Sequence, residues 1–303
     1  MKREININGI KWIDGVDLGK KEVYEILKDY DFHELDLEAA MEENQRARID
    51  GYNNYFFVIL HFPKYNQKRR TYELNEFNVF VGKDFLITLR NYHGTHVDTI
   101  FDKYAHLDDE EENSIKISSG FILYEIVQSM LEKMFKVVEN IRGDLKYLEK
   151  QVFDNINSPL VKDIMIKKRN IFVLKNMFKP QVLVMNALEN SINQLFDGTM
   201  ELYFEDLEDK LRYVVNDIII LEEQIIAIED AFTTIIDIKT SYVITILTLF
   251  SAFIMPLTLI TSFYGMNIDL PFQNSPWFVH GILLFSTFCM GMMYFILKKM
   301  GKM

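Results

Sequence analysis

Two long stretches without charge constrain this chain more than any other feature. From Thr240 to Ile268 there is no Asp, Glu, Lys or Arg, and SYVITILTLFSAFIMPLTLITSFYG (241–265) occupies most of that interval. A second run, WFVHGILLFSTFCMGMMYFIL (277–297), follows after a short polar segment. Each exceeds the ~20 residues that an α-helix needs to cross a ~30 Å hydrocarbon layer. Ser275-Pro276 suits the start of the second helix, as a capping hydroxyl and a proline whose missing N–H is not needed in the first turn. Lys239 precedes the first run and Lys298, Lys299 and Lys302 follow the second, whereas 266–276 holds no Lys or Arg. That asymmetry predicts two spans in the plasma membrane, both termini cytosolic and the short loop outside. Tyr264, Phe272 and Trp277 fall where interfacial aromatics belong.

The rest of the chain is of another kind. Residues 1–239 are rich in Lys, Asp and Glu, a composition shift that reads as a soluble domain followed by a membrane domain. MKREININGI has no apolar core for a signal peptide, so the soluble part is expected in the cytosol. Cys289 is the sole cysteine, which rules out an intrachain disulfide. With 33 basic and 44 acidic residues, the net charge of −11 disfavours nucleic acid and suits a surface that meets cations. No P-loop, nucleophile elbow or zinc-protease helix occurs, so the sequence predicts no enzyme.

Apolar runs and alternation predict strands over 4–13, 54–62, 72–81 and 84–90, with a hairpin turn through Gly82. Helices are expected over 16–30 and 35–44, then 118–156 and 159–196 after an acidic break at 108–113. Ser158-Pro159 separates the two long helices, and Asp197-Gly198 marks the next turn. The expected organisation is an α+β membrane protein: an α/β domain over 1–114, antiparallel helices over 115–198, a stalk over 199–240 and a membrane domain over 241–303, with spans near 241–264 and 277–297.

The stalk carries the most information. Phe204, Leu207, Leu211, Val214, Ile218, Leu221, Ile225, Ile228, Phe232 and Ile235 are spaced alternately by three and four. That is a seven-residue seam, so this helix packs along a partner. No breaker separates it from the first apolar run, so one helix could extend over 200–264, roughly 95 Å at ~1.5 Å per residue. Asp209, Asn216, Glu223, Asp230 and Asp237 form a polar stripe at the same interval. Continued by sevens it passes Ile244, Ser251 and Thr258, with Ser241, Leu247, Thr248 and Met255 a turn away. Solvated acids and backbone-bonded hydroxyls would explain each position singly. A continuous line entering the bilayer favours a helix interface or a wet cavity instead. Two spans cannot enclose a pore alone, so several copies would surround one axis, as closed cyclic symmetry allows.

Here the residues carry a resemblance. MPLTLITSFYGMN, with a second span close behind and C-terminal lysines, resembles the CorA family of magnesium transporters, whose first span ends in Gly-Met-Asn, as Gly265-Met266-Asn267 do here. LEAAMEENQRARIDGYNNYFFVIL (37–60) is similar to the family's cytosolic Leu-Glu-Asp…Gln-Arg-Pro-Lys segment, and Leu202-Tyr203-Phe204-Glu205-Asp206 to the start of its stalk. The resemblance implies a homopentameric Mg²⁺ channel with a funnel-shaped cytosolic domain. It implies a filter of Gly265, Met266 and Asn267, apolar constrictions at Met255 and Leu247 that gate by dewetting, and an acid below the membrane at Asp230; joined to the stripe, this gives a pore lined by Asp230, Asp237, Ser241, Ile244, Leu247, Ser251, Met255 and Thr258. Mg²⁺ dehydrates reluctantly, so amide oxygens can select it through its own waters. Regulatory Mg²⁺ is implied at Asp206 with Glu38 and Glu42, Glu43 lying next to it. The family's Leu-Glu-Asp is Leu37-Glu38-Ala39 here, which removes one ligand. Co²⁺ is a further possible cargo, and a Zn²⁺ or Ni²⁺ carrier of the same superfamily or a two-span coiled-coil receptor or tether are the alternatives. His93 and His96 have ligand-like spacing but read as a loop pair without further ligands.

Overall fold

The computed structural model describes residues 1–91, 96–107, 117–154, 158–269, 271–272 and 275–299. It divides into two compact units, Met1–Asp230 and Ala231–Met303. The acidic break at 108–113, His93 and Lys302 lie outside the described residues.

The first unit is built on one six-stranded sheet. Its strands are β1 (Lys2–Ile7), β2 (Ile10–Val16), β3 (Arg48–Gly51), β4 (Tyr55–Asn66), β5 (Thr71–Gly82) and β6 (Phe85–Arg90), in the order β1-β2-β6-β5-β4-β3. All neighbours are antiparallel except β2 and β6, where Lys11 pairs Phe85 and Val16 pairs Arg90. The single strand expected over 4–13 is therefore a hairpin. Asn8 and Gly9 turn it with φ of 49° and 82°, the left-handed pair that a two-residue type I′ hairpin requires.

Helices α1 (Lys20–Leu27) and α2 (Glu34–Met41) cover one face of the sheet, where Ile13, Leu27, Phe57, Ile59, Phe80 and Ile87 form a core. The expectation of a helix over 16–30 was too long at both ends, since β2 holds Val16. Helices α4 (Ser119–Asp154), α5 (Ser158–Phe178) and α6 (Gln181–Leu195) cover the opposite face. Between the sheet and α4 lies α3 (His96–Ala105), which was not anticipated. Its Phe101 ring sits 4.9 Å from that of Trp12.

The helix expected over 159–196 breaks at Lys179-Pro180. Proline cannot supply the N–H that would continue α5, and the break delivers Gln181 to the sheet. β3 begins at Arg48, opposite Ile59, and pairs no farther along β4 in that direction. Beyond that point the buried Gln181 amide takes over as a strand would, accepting from His61 N at 2.9 Å and donating to His61 O at 2.9 Å. Both main-chain groups of His61 are thereby paired.

Helix α7 (Glu201–Tyr264) is continuous for 64 residues, and α8 (Pro276–Lys299) follows. Phe204, Leu207, Leu211, Val214, Ile218, Leu221, Ile225 and Ile228 are all buried, which confirms the seam through the first unit. Phe232 and Ile235, in the second unit, are half-buried. Among the described residues α7 is the one helix long and apolar enough to cross a membrane.

Candidate functional site

The second unit arranges its residues in a way that sequence spacing alone does not reveal. α8 packs on α7 around Leu257, Ile260, Thr261, Tyr264, Phe278, Ile282 and Leu283. Tyr264 and Phe278 meet at 5.5 Å, and Phe272 stacks on Phe278 at 5.2 Å. With 3.6 residues per turn, Leu249, Phe253, Leu257, Ile260 and Tyr264 fall on one side of α7, and Ile244, Leu247, Ser251, Met255 and Thr258 on the other. α8 thus leaves the stripe side open: Ser241, Ile244, Leu247, Ser251, Met255 and Thr258 are all exposed, Met255 by 76%. Asp237 is exposed as well. In the first unit Asp209, Asn216, Glu223 and Asp230 are exposed, opposite to the buried seam.

The hydroxyls of this stripe have a defined polarity. Thr248 Oγ1 donates to Ile244 O at 2.8 Å, and Thr258 Oγ1 donates to Ile254 O at 3.0 Å. This is the bonding to the preceding turn that any helix hydroxyl can make. It also spends the proton, so each oxygen offers only lone pairs outward. A group that accepts and cannot donate suits a cation or the waters around one. Pro256 lies inside α7 and removes the N–H that would bond Ala252 O.

The helix stops where the Gly-Met-Asn motif begins. Gly265 N donates to Thr261 O at 2.9 Å and Met266 N to Phe263 O at 3.4 Å, closing the last turn. A Cβ on residue 265 would lie 2.9 Å from Thr261 O and 3.5 Å from Ser262 O, so only glycine closes the helix without displacing backbone. Met266 (50% exposed) and Asn267 follow at the surface, and Asp269 is exposed two residues on.

The cytosolic acids are placed differently. Asp206, on α7, forms an ion pair with Lys210 Nζ at 2.5 Å and accepts from Tyr124 Oη at 3.4 Å. Burial, and then the Asp206 charge, push the Tyr124 phenol up, so it stays a donor. The spacing of Asp206 and Lys210 marks that pair in the sequence; Tyr124 is 82 residues away and carries no such signal. Glu38 is exposed on α2, and Glu42, just past its end, accepts from Gln45 Nε2 at 3.0 Å. Ala39 is 5% exposed and packs in the core under α2. The position at which the family resemblance would place a carboxylate is therefore an interior one here. Among the described residues no three His, Cys, Asp or Glu side chains gather as a metal centre within the single chain. His96, expected in a loop, instead opens α3, its Nδ1 against Ser129 Oγ. Desolvation, with Lys133 and Lys136 nearby, pushes its pKa down.

An acidic α/β unit whose last helix continues into an apolar, membrane-length segment, with acceptor-only hydroxyls on its open side, fits the class of membrane proteins that pass cations. The particular family is the one whose profile, described as CorA-like Mg²⁺ transporter protein, matches residues 8–299, and the chain belongs to it. The cobalt/magnesium transport protein CorA of Thermotoga maritima is 22% identical over 265 residues, covering 88% of this chain and 73% of that protein. The protein of the same description from Methanocaldococcus jannaschii is 21% identical over 280 residues, covering 90% and 86%. Among solved structures, the complete CorA magnesium transporter of M. jannaschii superposes with a TM-score of 0.77 at 18% identity, covering 95% of this chain and 90% of that one. The full-length CmaX protein gives 0.77 at 17%, covering 94% and 96%. At those identities the structural likeness establishes the fold.

Proposed function

We propose that the chain conducts Mg²⁺ across the plasma membrane as a homopentamer, with α7 lining the pore and α8 facing lipid. Co²⁺ would be a second cargo, in keeping with relatives described as cobalt/magnesium transport proteins. One observation carries this reading: α8 covers the side of α7 opposite to Ile244, Ser251, Met255 and Thr258, leaving that line for a shared axis. Five amides of Asn267 at the outer mouth would accept hydrogen bonds from the water shell of the ion, binding it weakly enough for release. Thr258 and Ser251 would continue the acceptor rings, and Met255, Leu247 and Ile244 would form the apolar collar that closes by dewetting. Asp237 and Asp230 would concentrate the cation at the cytosolic end. Because no metal set forms among the described residues of one chain, a regulatory site using Asp206, Glu38 and Glu42 would be completed by a neighbouring subunit, and Mg²⁺ would displace Lys210 from Asp206.

The test is ion flux into proteoliposomes with Mg²⁺, Co²⁺, Zn²⁺ and Ni²⁺ compared. Asn267→Ala is expected to lower Mg²⁺ flux by at least about tenfold, with the oligomer intact on size-exclusion chromatography; one lost charge-assisted contact per subunit accounts for that much. Wild-type Mg²⁺ flux in an assembled Asn267→Ala protein refutes the amide ring.

A further inference from the structure

The side chains of β5 facing α1 and α2 read Phe80, Asn78, Glu76 in successive inward positions. Phe80 is fully buried in the core, and Asn78 and Glu76 are each 7% exposed. A strand facing a helix layer should keep that face apolar. Here the apolar layer ends because α1 begins at Lys20 and α2 ends at Met41, and the space beyond is a cavity of about 400 Å³. Asn78 and Glu76 line it, with Glu42 and Glu43 on one wall and Gly19 and Lys20 on the other.

The polar groups are incompletely accounted for. The Glu76 carboxylate accepts from the backbone N–H groups of Gln45 and Asn44, which shapes the turn after α2. Burial pushes its pKa up, and the nearby Glu43 charge adds to that push. Asn78 Oδ1 is buried and has no hydrogen-bond partner. An unpartnered buried acceptor costs on the order of 1–3 kcal/mol, so a native fold that retains one beside a cavity has a donor to offer it. Arg90 also borders the cavity, but its guanidinium is committed to Asp14 and Asp98. That leaves three carboxylates against the single rim ammonium of Lys20.

We propose that the cavity between the start of α1 and the end of α2 binds an alkylammonium ligand, whose N–H groups fill the Asn78 acceptor and whose charge pairs with Glu76. An ammonium carries three donors and no acceptor, which matches the unpartnered Asn78 Oδ1 and the Glu76 carboxylate. The volume lies in the range of small-molecule sites and admits a four- to six-atom chain that can reach Glu42 or Glu43 with a second amine. Inner-sphere metal is a poorer match, since no three acidic groups converge to ligand distance among the described residues.

The experiment is calorimetric titration of the full-length protein in detergent with 1,4-diaminobutane and with L-lysine. Binding of either supports the site, and which one binds separates a diamine from a basic amino acid. Glu76→Gln and Asn78→Leu are each expected to weaken binding by about tenfold or more. The near-isosteric Asn78→Asp, which adds a charge where the ammonium sits, is expected to tighten it by a similar factor, a gain that a damaged fold could not produce. No binding by either probe, equal affinity in all three variants, or stoichiometric displacement by equimolar Mg²⁺ overturns the proposal. None of these outcomes bears on ion flux through α7.

Discussion

Arg90 is 3% exposed, and its charge would be stranded in the sheet without the carboxylates around it. Asp14, on the neighbouring β2, is fully buried and holds it twice, through Nε at 3.1 Å and Nη2 at 2.8 Å. Thr88 Oγ1 donates to Asp14 Oδ1 at 2.8 Å, while Arg3 and Asp98 close the network from β1 and α3. This cluster ties the parallel β2–β6 pair to α3, the two features of the first unit least supported by local sequence signals. Removing one partner from a buried ionic network leaves uncompensated charge and costs about 3–5 kcal/mol. Asp14→Asn keeps the shape and removes the charge, so its cost is electrostatic. It is expected to lower the thermal midpoint of the purified protein by about 10 °C, at about 2–4 °C per kcal/mol. A shift below about 2 °C would mean that Asp98 alone satisfies Arg90.

At the scale of elements, legibility followed the range of the forces. The α7 seam was readable because each apolar residue repeats the choice of the one before it, and the buried positions from Phe204 to Ile228 are those the three–four spacing names. The end of the span was readable too, since a glycine that must meet Thr261 O at close range leaves a local mark. The misses depend on distant partners. β3 is only four residues, RIDG, with no alternation, and exists because β4 offers an edge. The break at Pro180 was in plain view but meant little without His61, which Gln181 reaches from 120 positions away. α3 does show Val97, Ile100, Phe101 and Tyr104 at helical spacing, a signal obscured by the two histidines before it. Within the candidate pathway, residue types along the stripe were legible and the placement of α8 on the far side of α7 was not, because periodicity gives a helix two faces without saying which neighbour takes which. The seam also separates packing from function. Leu221 is fully buried, and Leu221→Ala is expected to cost about 2–5 kcal/mol by cavity formation. Glu223→Ala, two residues away and exposed, is expected to stay within about 0.5 kcal/mol. Chemical denaturation of both variants checks the contrast; equal losses would place Glu223 in a structural contact.

For the whole molecule, the composition limits what can drive transport. On the proposed reading, α7 lines a passive pathway of acceptor oxygens and apolar side chains, which leaves no chemical reaction to drive the ion. The membrane potential remains, worth about 2.3 kcal/mol per elementary charge per 100 mV and hence about 4.6 kcal/mol for a divalent ion. At 1.36 kcal/mol per decade, an inside-negative potential of ~100 mV should support accumulation on the order of 10³-fold. The expected outcome in proteoliposomes loaded with a Mg²⁺ indicator is uptake that follows an imposed K⁺ diffusion potential and stops at zero potential without a concentration gradient. It should reverse direction when the potential is reversed. With Asp230 and Asp237 gathering cations at the cytosolic end as proposed, flux driven from that end should fall as ionic strength rises, because such acids act over about a Debye length. Uptake that proceeds against the summed electrical and chemical gradient, or that ignores the imposed potential, would require a coupled partner and would exclude a passive pore along α7.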